Sequence, residues 1–285
     1  MSKLGEALKM FKSDSRNRSF FMVPTYPDLS NQAKKGEMTT FMGAGVKFKS
    51  SEKELRVYDG TPCVSDLEFS GSDGLEKLYI PDSVKEIGNY AFMNCYALRE
   101  IRMPESVDRI GAGLFQNCWQ LRSVRMPEGT LTLGTDMFEN CHALAEIWLP
   151  LSLKDAARTS LSGCRSLKAI HISPQQIEIL PPSARYTAVL TFMEEHVSDE
   201  PSAEDVAVIE GYVCERQKSF LDLAVNRRST EAVRYMVSHG LADEEALREY
   251  LNRSAASGRV EITAILLDSL KDKGANTGLS EDPFQ

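Results

Sequence analysis

Apolar positions recur along the middle of this chain at a spacing that is neither 2 nor 3.6. The stretch "LEKLYIPDSVKEIGNYAFMNCYA", which opens at Leu75, is followed by "LREIRMPESVDRIGAGLFQNCWQ", "LRSVRMPEGTLTLGTDMFENCHA", "LAEIWLPLSLKDAARTSLSGCRS" and the half-line "LKAIHISP". Leu75, Leu98, Leu121, Leu144 and Leu167 recur at a constant interval of 23. Pro81, Pro104, Pro127 and Pro150 share a second column, and Phe92, Phe115, Phe138 and Leu161 a third. A strict period in this range marks a solenoid, in which each unit buries its apolar face only against its neighbours.

Within L-x-x-[IV]-x-[IML]-P, alternation predicts a short strand that Pro ends by withholding an N–H. Strands of successive units then stack about 4.8 Å apart into a parallel sheet. The remainder of each unit returns across the opposite face, burying Val84, Ile87 and Phe92 in the first. Gly88, Gly111 and Gly134 mark either a close approach or a positive φ. Cys95, Cys118, Cys141 and Cys164 fall in the interior beside the Phe column. Stacking brings their sulfurs close, so a disulfide between neighbours is conceivable, while the burial tendency of Cys favours free thiols.

The strand, the Pro, "I-G-x-x-A-F" and the "N-C" or "G-C" turn resemble leucine-rich repeats of the BspA type, over about Leu67 to Pro174. That resemblance implies a surface adhesin or ligand-binding protein of microbes. The fourth unit departs from the pattern: "DAARTSLSGC" lacks the Gly and the aromatic, which predicts irregularity there.

A solenoid needs caps over its open edges. "SKLGEALKMFK" predicts an amphipathic helix, "SFFMVPTY" a strand and "VKFKSSEKELRVYDG" a hairpin, closing the first turn with Val64, Leu67 and Phe69. After Pro174 the period becomes helical. "SARYTAVLTFMEEH" predicts a helix with Ser183 as N-cap, and "SAEDVAVIEGYVCERQKSFLDLAV" at least one more. Two segments then align at an interval of 30, Leu221 with Leu251, Ala224 with Ser254, Glu231 with Glu261 and Val237 with Leu267. The second resembles an ankyrin helix–turn–helix, which implies degenerate ankyrin-like hairpins. The expected fold is α+β: a cap over 1–63, leucine-rich repeats with a parallel sheet over 64–174, helical hairpins over 175–273 and a disordered tail over 274–285. The whole combination resembles cytoplasmic proteins of gut Firmicutes and implies no particular activity.

Charge changes this picture in one respect. Of 33 Lys+Arg and 41 Asp+Glu, positions 175–285 hold 11 and 20, leaving 22 and 21 in positions 1–174. Nucleic acid is not an expected partner, because phosphate neutralisation needs clustered Lys and Arg. The N-terminus shows no signal-peptide core, and no apolar run approaches the roughly 18 residues of a spanning helix. A cytoplasmic protein without membrane association is expected, or a cell-surface protein if a leader has been trimmed.

Motifs for chemistry are sparse. The four His are scattered, "GAG" at 43–45 lacks a third Gly, and neither G-x-S-x-G, a P-loop nor H-E-x-x-H occurs. No catalytic residue, metal or cofactor is assigned; the remaining alternative is an enzyme or metal-binding protein using Cys and His. The informative positions face away from the core. The fifth strand position reads Tyr79, Arg102, Arg125, Trp148 and His171; the second reads Glu76, Arg99, Arg122, Ala145 and Lys168. Tyr, Trp and Arg dominate binding hot spots. Tyr79, Arg99, Arg102, Arg122, Arg125, Trp148, Lys168 and His171 therefore form a candidate surface for an acidic protein or peptide. The alternatives are self-association through the acidic helices and a merely solvated face.

Overall fold

A computed structural model describes residues 53–57, 59–197 and 201–276, with side chains as far as 271. The expected N-terminal helix and strand, the first run of the hairpin and the tail from 277 onward lie outside the described residues. No helix among the described residues is long and apolar enough to cross a membrane.

Among the described residues, eleven short strands form the two faces of a flattened coil. On one face lie β1 (Glu54–Arg56), β3 (Lys77–Tyr79), β5 (Glu100–Arg102), β7 (Ser123–Arg125), β9 (Glu146–Trp148) and β11 (Ala169–His171). On the return face lie β2 (Cys63–Val64), β4 (Glu86–Ile87), β6 (Arg109–Ile110), β8 (Thr132–Leu133) and β10 (Asp155–Ala156). Every pairing is parallel and advances by one period, Leu55 opposite Leu78 opposite Ile101, and Val124 opposite Ile147 opposite Ile170. The coil has about five turns, which we number from residues 54, 75, 98, 121 and 144.

The second run of the expected hairpin is β1, paired in parallel with β3. The repeats thus begin one turn before Leu75. Leu55, Val64 and Phe69 stand one full period ahead of Leu78, Ile87 and Phe92, and all six are buried. The mismatched Leu-x-x-[IV] lead-in concealed this turn.

Three ladders fill the interior edge. Phe69, Phe92, Phe115 and Phe138 stack with centroids 5.5–5.8 Å apart. Asn117 donates to Asn94 at 2.8 Å and Asn140 to Asn117 at 2.9 Å. All three Asn hold left-handed φ of 58–62°, and Gly71 and Gly163 take the same column at its ends; these are the residue types that bear that conformation. The four column thiols donate to the carbonyls of the Phe column one turn back, at 3.1–3.2 Å. All are free, so packing and not cross-linking explains the Cys column. Gly88 and Gly111 are close approaches: a Cβ would lie 2.5 and 2.4 Å from the backbone nitrogens of Asp66 and Asn89.

Burial raises the Cys95 and Cys164 thiols from 9.0 to about 12, and Cys118 and Cys141 well above 9.0. The folded state therefore holds these protons more tightly than the unfolded chain. Their stabilising contribution is complete below pH 9 and is lost as pH rises toward 12. We expect the unfolding free energy from urea titrations to fall from pH 9 upward, by about 1.4 kcal/mol per pH unit for each such thiol. Replacing the four Cys with Ala should flatten that slope; an unchanged slope would assign it to other groups.

The expected irregularity at the fourth repeat is absent. β10 pairs with β8, and Ala157 stands in the Gly column with its N–H donating to Leu133 at 2.8 Å. The interruption lies instead between turns 3 and 4, where neither β5 and β7 nor β6 and β8 share a ladder.

Polar side chains close the C-terminal edge. Within a 3-10 turn, Pro174–Ile179, Gln176 donates to the carbonyls of Leu151 at 2.9 Å and Leu153 at 2.7 Å. Helix α1 (Pro182–Glu195) lies against β11, where Thr191 accepts the otherwise open Ile170 N–H at 3.0 Å. Its N-cap is Pro181 and not Ser183: Pro182 takes the first helical position, where its missing N–H costs nothing. Five helices follow: α2 (Ala203–Cys214), α3 (Gln217–Arg227), α4 (Thr230–Ser238), α5 (Glu244–Ala256) and α6 (Val260–Asn276). From α3, Arg227 reaches back to the Lys168 carbonyl at 2.8 Å and to the Thr187 hydroxyl at 3.0 Å. The α3–α4 and α5–α6 connections close identically at the interval of 30. Ser229 N–H donates to Ala224 and Arg259 N–H to Ser254, both at 2.9 Å, after left-handed Arg228 and Gly258.

Candidate functional site

The strand face divides into two halves with different character. Toward the N-terminus, Arg56 lies over the Tyr79 ring at 4.5 Å. Lys77 sits between Glu54 at 3.9 Å and Glu100 at 3.3 Å, and Lys53 pairs with Glu76 at 2.9 Å. The hydrogen bond to Glu100 holds the Lys77 ammonium above its usual range, and the one from Lys53 holds the Glu76 carboxyl below its own. This half is internally compensated.

Toward the C-terminus, Arg125, Trp148 and His171 form one continuous stack. The Arg125 guanidinium is 5.1 Å from the Trp148 centroid, and the indole lies parallel to His171 at 4.6 Å and 3°. His171 is fixed from both sides, Nε2 to Glu146 at 2.7 Å and Nδ1 to Glu195 of α1 at 2.6 Å. Beside the stack is a shallow hollow of ≈ 180 Å³, lined by Arg125, Trp148, His171, Met126, Glu105 and Glu128.

The sequence-predicted residues scatter over this surface. Arg125, Trp148 and His171 come together. Arg102 and Arg122 are exposed, and no ion pair reaches either among the described residues. Arg99 donates to Gln120 at 2.9 Å. Tyr79 belongs to the compensated half. Lys168 is exposed at the junction with the helices, its carbonyl taken by Arg227. His196 and His239 cap α1 and α4, each folded over an aromatic ring, Phe192 at 4.1 Å and Tyr235 at 4.0 Å.

Two columns escaped the sequence reading. The third strand position, Glu54, Lys77, Glu100, Ser123, Glu146 and Ala169, shares the outward face with the fifth, as a period of 2 requires. It supplies the acids that neutralise part of the stripe. The position after the Cys column forms a second aromatic row, Tyr96 against Trp119 at 4.3 Å and Trp119 against His142 at 6.3 Å. Trp119 is 47% exposed, more than either ring of the Trp148–His171 pair. The repeat register alone exposes that row, had the turn been read as well as the strand.

Comparison with known proteins agrees with the repeat register. Residues 64–186 match the BspA type leucine rich repeat region, in six copies. No curated protein matches the chain. Among solved structures, a leucine rich cell surface protein from Faecalibacterium prausnitzii is 28% identical (TM-score 0.44), covering 47% of this chain and 36% of that one. A leucine-rich repeat protein from Bacteroides ovatus is 32% identical (TM-score 0.39), covering 41% and 30%. The leucine rich repeat protein of T. pallidum is 26% identical (TM-score 0.41), covering 43% and 59%. The chain thus spans between 30% and 59% of the length of these relatives. With its columns of Leu, Pro, Phe, Asn and Cys stacked in parallel at a constant step, the segment 64–186 belongs to the BspA-type leucine-rich repeats.

Proposed function

We propose that this protein is a non-enzymatic interaction module that engages an acidic protein segment on the strand face, centred on Arg125 and Trp148. Leucine-rich repeats of this kind suggest a protein-interaction or surface-protein role, and fold alone does not choose the ligand. One observation carries the reading: Arg125, unpaired by any acid among the described residues, lies over a half-buried Trp148 at the rim of a hollow, with Arg102 and Arg122 next to it. Guanidinium on indole presents a flat, preorganised donor fork, which suits a carboxylate. The compensated N-terminal half makes Tyr79 peripheral, and the two glutamates on His171 make it a support for Trp148.

Affinity capture from extract tests this, comparing the native protein with a folded Arg102→Glu, Arg125→Glu, Trp148→Ala variant. A specific partner should bind the variant at least about 30-fold more weakly, the loss expected when a hot spot is removed. Equal binding by both proteins would exclude the stripe. Retention of a second copy of the chain, lost in the variant, would assign the surface to self-association.

A further inference from the structure

We infer that the step between turns 3 and 4 is a joint that an acidic ligand closes. This inference rests on the reading of the strand face just proposed.

Elsewhere on the strand face, each step is tied by a second-column amide. Glu76 N–H donates to Lys53, Arg99 to Glu76, Ala145 to Arg122 and Lys168 to Ala145, all at 2.8 Å. At the joint the equivalent bond, Arg122 to Arg99, stretches to 3.4 Å. The return face repeats this. Lys85, Asp108 and Lys154 each donate one turn back at 2.8–2.9 Å, as do Gly88, Gly111 and Ala157. Among the described residues, Leu131 and Gly134, which hold those positions in turn 4, make no such bond. The Gly column measures the separation directly. A Cβ on Gly88 or Gly111 would lie 2.4–2.5 Å from the preceding backbone; on Gly134 the nearest atom, Ala112 Cα, is at 3.2 Å.

The third side stays closed. Asn140 bonds Asn117 at 2.9 Å, Cys141 bonds the Phe115 carbonyl at 3.1 Å, and Phe115 stacks on Phe138 at 5.5 Å. The two turns also touch at one corner, where a Cβ on Gly129 would lie 2.3 Å from the Val107 carbonyl oxygen. Two open faces and one stitched edge make a joint whose axis runs along the Asn–Phe–Cys edge.

The charges explain its position. Across this step alone, Arg99 faces Arg122 and Arg102 faces Arg125, and like charges directly opposite oppose pairing. Arg125 turns its guanidinium to Trp148 instead. One step toward the N-terminus, Lys77 lies between two glutamates and the ladder is intact. Carboxylates laid across the four guanidinium groups replace repulsion with bidentate bonds and let the strands draw together. Binding and stiffening of the solenoid are then a single coupled event.

Amide hydrogen exchange at Arg122, Leu131 and Gly134 reads the joint, with a hexaglutamate peptide as the probe. In the Arg102→Gln, Arg125→Gln variant without ligand, protection should rise about two- to fivefold, the size of one relieved like-charge pair. Screening by 1 M NaCl should produce the same gain in the native protein. Hexaglutamate should raise protection in the native protein and not in the variant. If neither the variant nor salt changes these amides, the joint is overturned. If both do and hexaglutamate does not, ligand closure is overturned together with the acidic-partner reading. If hexaglutamate binds while the amides stay unchanged, that reading survives and the coupling is overturned.

Discussion

Phe115→Ala is expected to lower the unfolding free energy by about 3–5 kcal/mol, the cost of emptying a fully buried aromatic site. Phe115 is 0% exposed and stacks between Phe92 at 5.8 Å and Phe138 at 5.5 Å. A solenoid has no distant core to compensate, because each turn contacts only its neighbours. The position has a second consequence. The Phe115 ring stacks on Phe138 across the step between turns 3 and 4, so its loss weakens the closed edge there while the backbone carbonyl that accepts the Cys141 thiol stays. Urea unfolding followed by circular dichroism should therefore broaden, with turns 1–3 and turns 4–5 separating. A sharp transition displaced by less than about 1 kcal/mol would mean that the neighbouring turns collapse into the vacated site and that the Phe stack contributes little to stability.

The second large effect is expected from Gln176→Leu, at about 2–4 kcal/mol. The amide nitrogen of Gln176 serves the carbonyls of Leu151 and Leu153, as the Ser152 hydroxyl serves those of Glu128 and Thr130 one turn back. Leu fills similar volume and leaves the buried Leu153 carbonyl unpaired, at about 1–3 kcal/mol, and the part-buried Leu151 carbonyl without its donor at a smaller cost. Hydrogen exchange at the last return strand should accelerate in the variant before global unfolding does. Gln176→Glu separates shape from donation: it keeps the size, removes the N–H donors and should be as damaging as Leu. A tolerated Glu would show that solvent reaches those carbonyls.

The sequence made most of the solenoid legible because its period repeats identity as well as polarity. Leu98, Phe115 and Cys118 name their own columns. Turn 1 was hidden because its strand, "ELR", lacks the leading Leu, although Val64 and Phe69 kept the register. Ser183 was misread as a cap because two prolines precede it, and Pro182 already satisfies the first helical position. The candidate site was half legible. Alternation correctly set Arg125 and Trp148 outward, and the same rule applied to the third column would have exposed the glutamates that neutralise Lys77. Glu195 on His171 was beyond reach, since it depends on how α1 docks against β11. The joint runs opposite to intuition: the poorly matching fourth repeat is intact, and the break lies between two repeats that match well. Motif conformity records each turn's interior, whereas the break is set by charges on the outside.

Synthesis is directional, and this gives the C-terminal closure a temporal meaning. Arg227, which secures the last strand through the Lys168 carbonyl, follows that residue by 59 positions. At about 5–20 residues per second, the ribosome needs roughly 3–12 s to deliver it after β11 has emerged. For that interval Gln176 and α1 hold the last edge without the Arg227 tie, so its cover is incomplete while neighbouring nascent chains are close. Cover of the C-terminal edge is thus completed late in translation, after the repeats themselves have formed.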